Sequence, residues 1–385
     1  MFIHITYGRS RWFLKAVDIY NFIKYRILRP IISNVSFYCY YIFFYRRYEK
    51  TFEGNPLKPG ISAYIPCKNE AAHLMLCLKS LLPVVDHFIL IDNGSEDNTL
   101  DLMYEFQKSH QHEASIEVIT MAKALLVEMV QAALTRVKHK WVLKWDGDMI
   151  AITENLKAMK KRITNISRPT AYTLPRINLW GDFFHVSTWM PVLDGGEYFL
   201  RTFNNRFFFK EEYGRLEHAI IPIYYTLKRE IDVFYSFHLS NIRPPLRILY
   251  RHCYLDWRQT VNTGTDKNKY RSWEKFRNDW MQHNFGTNHE PSVKFRFSRL
   301  IASMVKREYH PVTEAMQQII DEGKEPFKII YRNDRPYLMM DKSDSDFKNY
   351  YPSDEDISWE PDYRRFYNDH IRLGFTKQDH EPNSR

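Results

Sequence analysis

Two aspartates one residue apart, Asp146-Gly147-Asp148, close the apolar run Trp141-Val142-Leu143-Lys144-Trp145. On an extended chain, alternate residues point to the same side. The pair therefore offers two hard oxygen ligands of the kind that Mg2+ or Mn2+ combines with phosphate oxygens and water. Gly147 leaves the backbone between them open to close approach by a bulky diphosphate. A D-x-D triplet also arises by chance as a simple Asp-Gly turn, but its position directly after an apolar run favours the metal reading. Two more polar clusters follow apolar runs: Pro66-Cys67-Lys68-Asn69-Glu70, and Asp92-Asn93-Gly94-Ser95.

The elements that must position these residues alternate. Ile61–Pro66 reads as a buried strand, and Glu70–Leu82 as a helix with Leu74, Leu78, Leu81 and Leu82 at helical spacing. Phe88–Ile91 is a second strand. Ser95 is placed to cap a helix carrying Leu100, Met103, Tyr104 and Phe106. Ile116–Ile119 is a third strand, Lys123–Val137 a third helix, and Trp141–Trp145 a fourth strand. Such alternation predicts an open α/β sheet with parallel strands. Ligands of these sheets bind beyond the strands' carboxyl ends, where all three polar clusters fall. There is no GxGxxG and no GxxxxGK[ST], which argues against dinucleotide and Walker phosphate loops.

From Ile65-Pro66-Cys67-Lys68-Asn69-Glu70 through Cys77-Leu78-Lys79-Ser80-Leu81 and Ile89–Thr99 to Asp146-Gly147-Asp148, order and spacing resemble the family 2 glycosyltransferases of GT-A fold. The likeness covers roughly Ile61–Ile150. One position departs: where the family has two aspartates before Gly-Ser, the second here is Asn93. The resemblance implies a Rossmann-like, mostly parallel sheet flanked by helices, a nucleotide-sugar donor, a divalent cation (Mn2+ or Mg2+) and transfer with inversion. It implies that Asp92 accepts a hydrogen bond from the base, most often uracil. Pro66, Lys68 and Glu70 would line the base and ribose, and Lys123 would face the nucleotide. Asp146 would touch ribose or metal, Asp148 would hold the metal, and His238 would join its shell. A general base must take the acceptor hydroxyl's proton. The family's Phe-Arg-x-x-x-Arg-Phe-like run, here Arg201–Phe207, precedes Arg215-Leu216-Glu217-His218, which favours Glu217, with Glu212 and Asp194 behind it.

The 385 residues carry 55 Lys+Arg against 46 Asp+Glu, a net charge of +9, and 16% aromatics. This balance suits a membrane surface, carbohydrate or an anionic small substrate. With no RRM, KH or zinc pattern, no nucleic acid is expected. The four cysteines have no metal spacing and read as structural thiols. Residues 1–55 form a basic, aromatic arm. Its apolar run Ile31–Tyr45 falls short of the roughly 20 residues that span a bilayer, so it reads as an interfacial anchor or as an arm packed on the protein itself. Residues 56–250 read as the transferase domain, divided into a nucleotide-binding half (56–150) and an acceptor half (151–250). Residues 251–385 read as a helical extension. The expected location is cytoplasmic, peripheral at the membrane's cytoplasmic face, with a glycan or lipid-linked glycan acceptor. Two other readings stand beside this one: a non-catalytic glycan-binding protein on the same fold, and a sugar nucleotidyltransferase. The latter needs a Gly-rich, basic loop after the first strand, which Pro66–Glu70 does not provide.

Overall fold

A computed structural model of the chain describes residues 57–243, except 123, 125, 167–168, 188–191, 202–207, 213–215, 221–224 and 231–232. It also describes residues 28, 31, 32, 35 and 39, and beyond 243 the stretches 248–249, 252–253, 256–257, 272–289, 292–293, 305–307, 313–321, 327–332 and 335–340. Side chains on the strands at 192–198, 208–212, 216–220, 305–307, 327–332 and 335–340 lie outside the description. The chain divides into two compact units, the first comprising residues 1–177, 192–209 and 219–238.

In that unit β1 (Lys58–Cys67) is followed by α1 (Ala71–Leu81), β2 (His87–Asp92), α2 (Thr99–His110), β3 (Ser115–Thr120), α3 (Leu126–Leu134), β4 (His139–Lys144), β5 (Met149–Ala151) and α4 (Thr153–Thr164). β1 pairs in parallel with β2 on one side and β4 on the other, and β2 pairs in parallel with β3. Beyond β4 the sheet turns antiparallel. Further along the chain come β6 (Thr170–Trp180), β7 (His185–Ser187), β8 (Val192–Arg201), β9 (Phe208–Glu212), β10 (Leu216–Ile220), β11 (Thr226–Arg229) and β12 (Ser236–Asn241). β8 pairs with β4, and β6 pairs with β8. The parallel, helix-flanked central strands expected from the sequence are present, within a larger mixed sheet.

Period-2 alternation builds two cores. Ile61, Ala63 and Ile65 of β1, Phe88 and Leu90 of β2, and Trp141 and Leu143 of β4 face one side. There they pack with Leu74, Leu78 and Leu81 of α1, Met103 and Phe106 of α2, and Leu156, Met159 and Ile163 of α4. Tyr64, Ile89, Ile91 and Val142 face the other side, against Met129, Val130, Ala133 and Leu134 of α3. Both faces are thus covered by helices, which is why the strands read as near-continuous apolar runs.

The second unit comprises residues 178–191, 210–218 and 239–385. Its α5 (Trp273–Phe285) starts at Ser272, whose hydroxyl accepts from Lys275 N, and ends at left-handed Gly286. Further on come α6 (Glu314–Asp321) and an antiparallel hairpin of Phe327–Arg332 with Arg335–Met340. The extension expected to be helical carries, among its described residues, both these helices and this strand pair. Phe327-Lys328-Ile329-Ile330-Tyr331 is β-branched and aromatic, and Asn333-Asp334 beside it is turn-prone sequence, so strand propensity prevails.

At the amino ends of the parallel strands lies a buried polar cluster. Ser62 Oγ is 3.1 Å from His87 Nδ1 and 3.2 Å from His139 Nδ1. His87 Nε2 is 3.3 Å from Glu117, which also pairs with Lys138. Burial, then the Lys138 charge, pushes the His87 imidazole down to about 4, against the pull of Glu117. His139 is lowered as well, chiefly by burial. A histidine held neutral stabilises the fold fully above its unfolded value of about 6.5. That stability is lost as pH falls toward 4, because only the unfolded chain gains the proton. The loss attributable to His87 is expected to reach about 3 kcal/mol. Thermal melts between pH 7 and 4 should show a falling midpoint, flattened in His87→Gln. An equal slope in that variant would contradict the assignment.

Candidate functional site

The parallel register aligns the strand ends. Cys67 pairs with Asp92, and Asp92 with Thr120, while Trp145 N donates to Tyr64 O at 3.1 Å. The loops after β1, β2 and β4 therefore open on one rim.

The first two loops are bonded to each other. Asn69 adopts φ 56°. Its N–H donates to Ser95 Oγ at 2.9 Å, and its side-chain oxygen accepts from Glu96 N at 2.8 Å. Glu70 precedes α1 without capping it through its own side chain. The cap comes from the neighbouring loop: Glu70 N donates to Thr99 Oγ1 at 2.7 Å and Ala71 N to Asp97 Oδ2 at 3.2 Å. Ser95 is thus a loop clamp and not the helix cap expected of it, since α2 begins only at Thr99. Asp92 is buried and accepts from Gly94 N at 2.9 Å and Ser95 N at 3.1 Å. Asn93 uses both ends of its amide on one residue. It accepts from Ala124 N at 2.9 Å and donates to Ala124 O at 3.2 Å. An aspartate could not make the second bond, so the departure at Asn93 has a physical reason.

The third loop carries the carboxylates. Met149 N donates to Asp146 O at 3.1 Å, and Trp145 Nε1 to Met149 O at 3.0 Å. Cys77 Sγ of α1 donates to Asp146 O at 3.5 Å. β5 then pairs antiparallel with β12 (Ser236–Asn241), setting His238 opposite Met149. His238 Nε2 lies 3.7 Å from Asp148 Oδ1. One ligand atom each from Asp146, Asp148 and His238 lies within 4.8 Å of the others. Two carboxylates and an imidazole form a donor set that suits Mn2+ or Mg2+, the more so with phosphate and water completing the shell.

Gly147 has a tighter constraint than approach by a ligand. A Cβ there would stand 2.6 Å from Cys67 Sγ and 3.3 Å from Glu70 Cγ. The two thiols are inert at neutral pH. Burial first, then the charges of Glu70, Asp148 and Asp92, pushes Cys67 well up. Burial, with Asp148, Asp146 and Glu70, does the same to Cys77.

Of the residues expected from sequence, the rim gathers Pro66, Lys68, Glu70, Asp92, Asp146 and Asp148, and β12 brings in His238. Lys68 is exposed and Pro66 and Glu70 half-buried. Lys123 lies outside the described residues. Asp194 falls on β8, Glu212 on Phe208–Glu212 and Glu217 on Leu216–Ile220, and their side chains lie outside the description. Sequence reasoning did not single out Asn69, Asp97 or Thr99 as loop clamps. It also missed Arg176 of β6, whose Nη1 is 3.4 Å from Asp146 Oδ2.

Comparison with known proteins follows the same stretch. Residues 62–219 match the model described as glycosyl transferase family 2. The chain is 24% identical over 144 residues to a poly-beta-1,6-N-acetyl-D-glucosamine synthase of Staphylococcus epidermidis, covering 35% of this chain and 34% of that protein. It therefore spans only about a third of that relative's length. A second synthase of that name and species is 25% identical over the same share. Among solved structures, S. aureus TarS 1–349 covers 74% of this chain and 97% of its own at 12% identity and TM-score 0.33. The same protein with UDP-GlcNAc gives 13% identity and TM-score 0.34.

Gly147→Ala is expected to destabilise the fold by about 1–3 kcal/mol through overpacking against Cys67, and to weaken Mn2+ binding. Adding Cys67→Ala should recover much of both losses. Thermal melts and Mn2+ titrations of the two single variants and the double variant check this. Purely additive effects would rule out the contact as the cause.

Proposed function

We propose, from the match of residues 62–219 to the model of glycosyl transferase family 2, that the chain transfers a sugar from a nucleoside-diphosphate donor to a hydroxyl of a glycan or lipid-linked glycan. The observation that carries this reading is the Asp146, Asp148 and His238 cluster at the carboxyl rim of the sheet. We take the donor as UDP-linked, the reaction as inverting, and the setting as surface polysaccharide synthesis.

In this mechanism Asp92 anchors the base while Pro66, Lys68 and Glu70 border base and ribose. Asp146, Asp148 and His238 would hold a divalent cation, which would supply positive charge against the leaving diphosphate. The acceptor oxygen attacks the anomeric carbon from the face opposite the diphosphate. A carbon–oxygen bond to the acceptor forms as the bond to the diphosphate breaks. The hydroxyl proton passes to a carboxylate, for which Glu217, Glu212 and Asp194 are the proposed set. The cross-bonded loops hold Asp92 and Glu70 in place before the donor arrives, which limits the ordering cost of binding.

Calorimetric titration of UDP with and without Mn2+, beside GDP and dTDP, tests the reading. Metal-dependent UDP binding, weakened at least tenfold in Asp148→Ala, is expected. No binding of any of the three with Mn2+ present would leave a glycan-binding protein without transfer activity as the better reading.

The N-terminal arm supplies the proposed membrane contact. Leu28, Ile31, Ile32, Val35 and Cys39 recur at helical spacing and all are exposed, Ile31 at 57% and Val35 at 61%. In sequence they lie between Arg26 and the pair Arg46-Arg47, so apolar and basic groups together suit an anionic lipid surface. No helix among the described residues is long and apolar enough to cross a membrane. We therefore take the contact as peripheral, on the cytoplasmic face. Co-sedimentation with phosphatidylglycerol vesicles should fall about tenfold when Ile31, Ile32 and Val35 are replaced by Asn. Unchanged sedimentation would remove the arm from the proposal.

A further inference from the structure

The pairing of β6 with β8 changes register beside Pro175: Leu174 pairs with Glu197 but Arg176 with Leu193, so the extra residues lie on β8 and β6 runs on regularly. Pro175 itself has no N–H to donate to the ladder. The Pro175 carbonyl is held by Tyr235 N at 3.0 Å, just ahead of the strand that carries His238. The Arg176 side chain is 14% exposed, with Nη1 3.4 Å from Asp146 Oδ2 and 3.2 Å from Met149 Sδ. A permanent cation is thus paired to the more exposed of the two carboxylates, while Asp148 lies beside His238.

From this geometry we infer that Arg176 makes cation binding at the rim conditional on the donor's diphosphate. The inference rests on the proposed transferase reading of the same cluster. Arginine stays charged at any working pH. A dication drawing on the Asp146 oxygen meets a guanidinium that already holds that carboxylate, and the two positive charges repel. A diphosphate reverses the balance, because its oxygens can take the guanidinium's donors in a bidentate geometry and release Asp146. Metal and nucleoside diphosphate then assist each other's binding by one common factor. Arg176 is in this sense a positioning residue, acting through Asp146.

The test is Mn2+ binding, read by the loss of the free-ion paramagnetic resonance signal, with and without UDP. It uses the full chain, Arg176→Met, Arg176→Lys and Asp148→Ala. Arg176→Met keeps an apolar contact to Met149, and Arg176→Lys keeps the charge. Expected for Arg176→Met is Mn2+ binding severalfold tighter than wild type without UDP. The factor by which UDP tightens Mn2+ should shrink about tenfold, with Arg176→Lys in between. Weaker Mn2+ binding without UDP in Arg176→Met, or an unchanged UDP factor, overturns this inference. If Mn2+ binding is lost in Asp148→Ala but indifferent to position 176, only this inference fails. If no variant binds Mn2+ with or without UDP, the transferase reading of the cluster fails with it.

Discussion

Strand β1 can be solvated on neither face and on neither edge. It is paired on both sides by parallel neighbours and packed above and below by helices. Its backbone and side chains are satisfied only if the sheet closes around it, and the apolar alternation of β2 and β4 follows from that demand. A strand so enclosed can present polar groups only where it ends. The carboxyl rim is therefore the one place in the parallel core where Lys68, Asn69, Glu70, Asp92 and Asp146 converge.

Convergence alone would leave three floppy loops. The rim is rigid because each loop supplies what another lacks. The α1 amino terminus has amides without an intrahelical partner, and the loop after β2 caps them with Thr99 and Asp97. Asn69 accepts the strain of a left-handed backbone and bonds across to both Ser95 and Glu96. Asn93 holds the segment leading into α3. The third loop is fixed from below, where Cys67 and Glu70 fill the space a side chain at Gly147 would need.

These layers were unequally legible in the sequence. Strands such as Phe88–Ile91 were readable because burial on both faces leaves an unbroken apolar run, and Asp92, Asp146 and Asp148 because they follow such runs directly. The clamps were not. A hydrogen bond from Asn69 to Ser95 spans 26 residues, and nothing in either residue's neighbours marks it. Gly147 was legible as a tight spot, but the reason assigned to it was a ligand, and the atoms nearest it belong to Cys67. Arg176 was invisible because its approach to Asp146, 30 residues back in the chain, exists only once β6 has joined the sheet. The hairpin after residue 326 was missed because residues 251–385 were read as one helical extension.

The chain's net charge of +9 misleads at the site. Asp92, Asp146, Asp148 and Glu70 all act on the two buried thiols, and their combined field helps keep Cys67 and Cys77 protonated. A rim this acidic repels a diphosphate by itself, so the basic surface elsewhere can raise encounter with anions but cannot seat one here. Positive charge has to be supplied locally. Among the described residues Arg176 stands against Asp146 and the exposed Lys68 lies on the same rim, two positive charges beside four carboxylates. A dication held as proposed by Asp146, Asp148 and His238 would offset that excess, and the affinity for an anionic donor would then depend on the bound metal more than on the protein's overall charge.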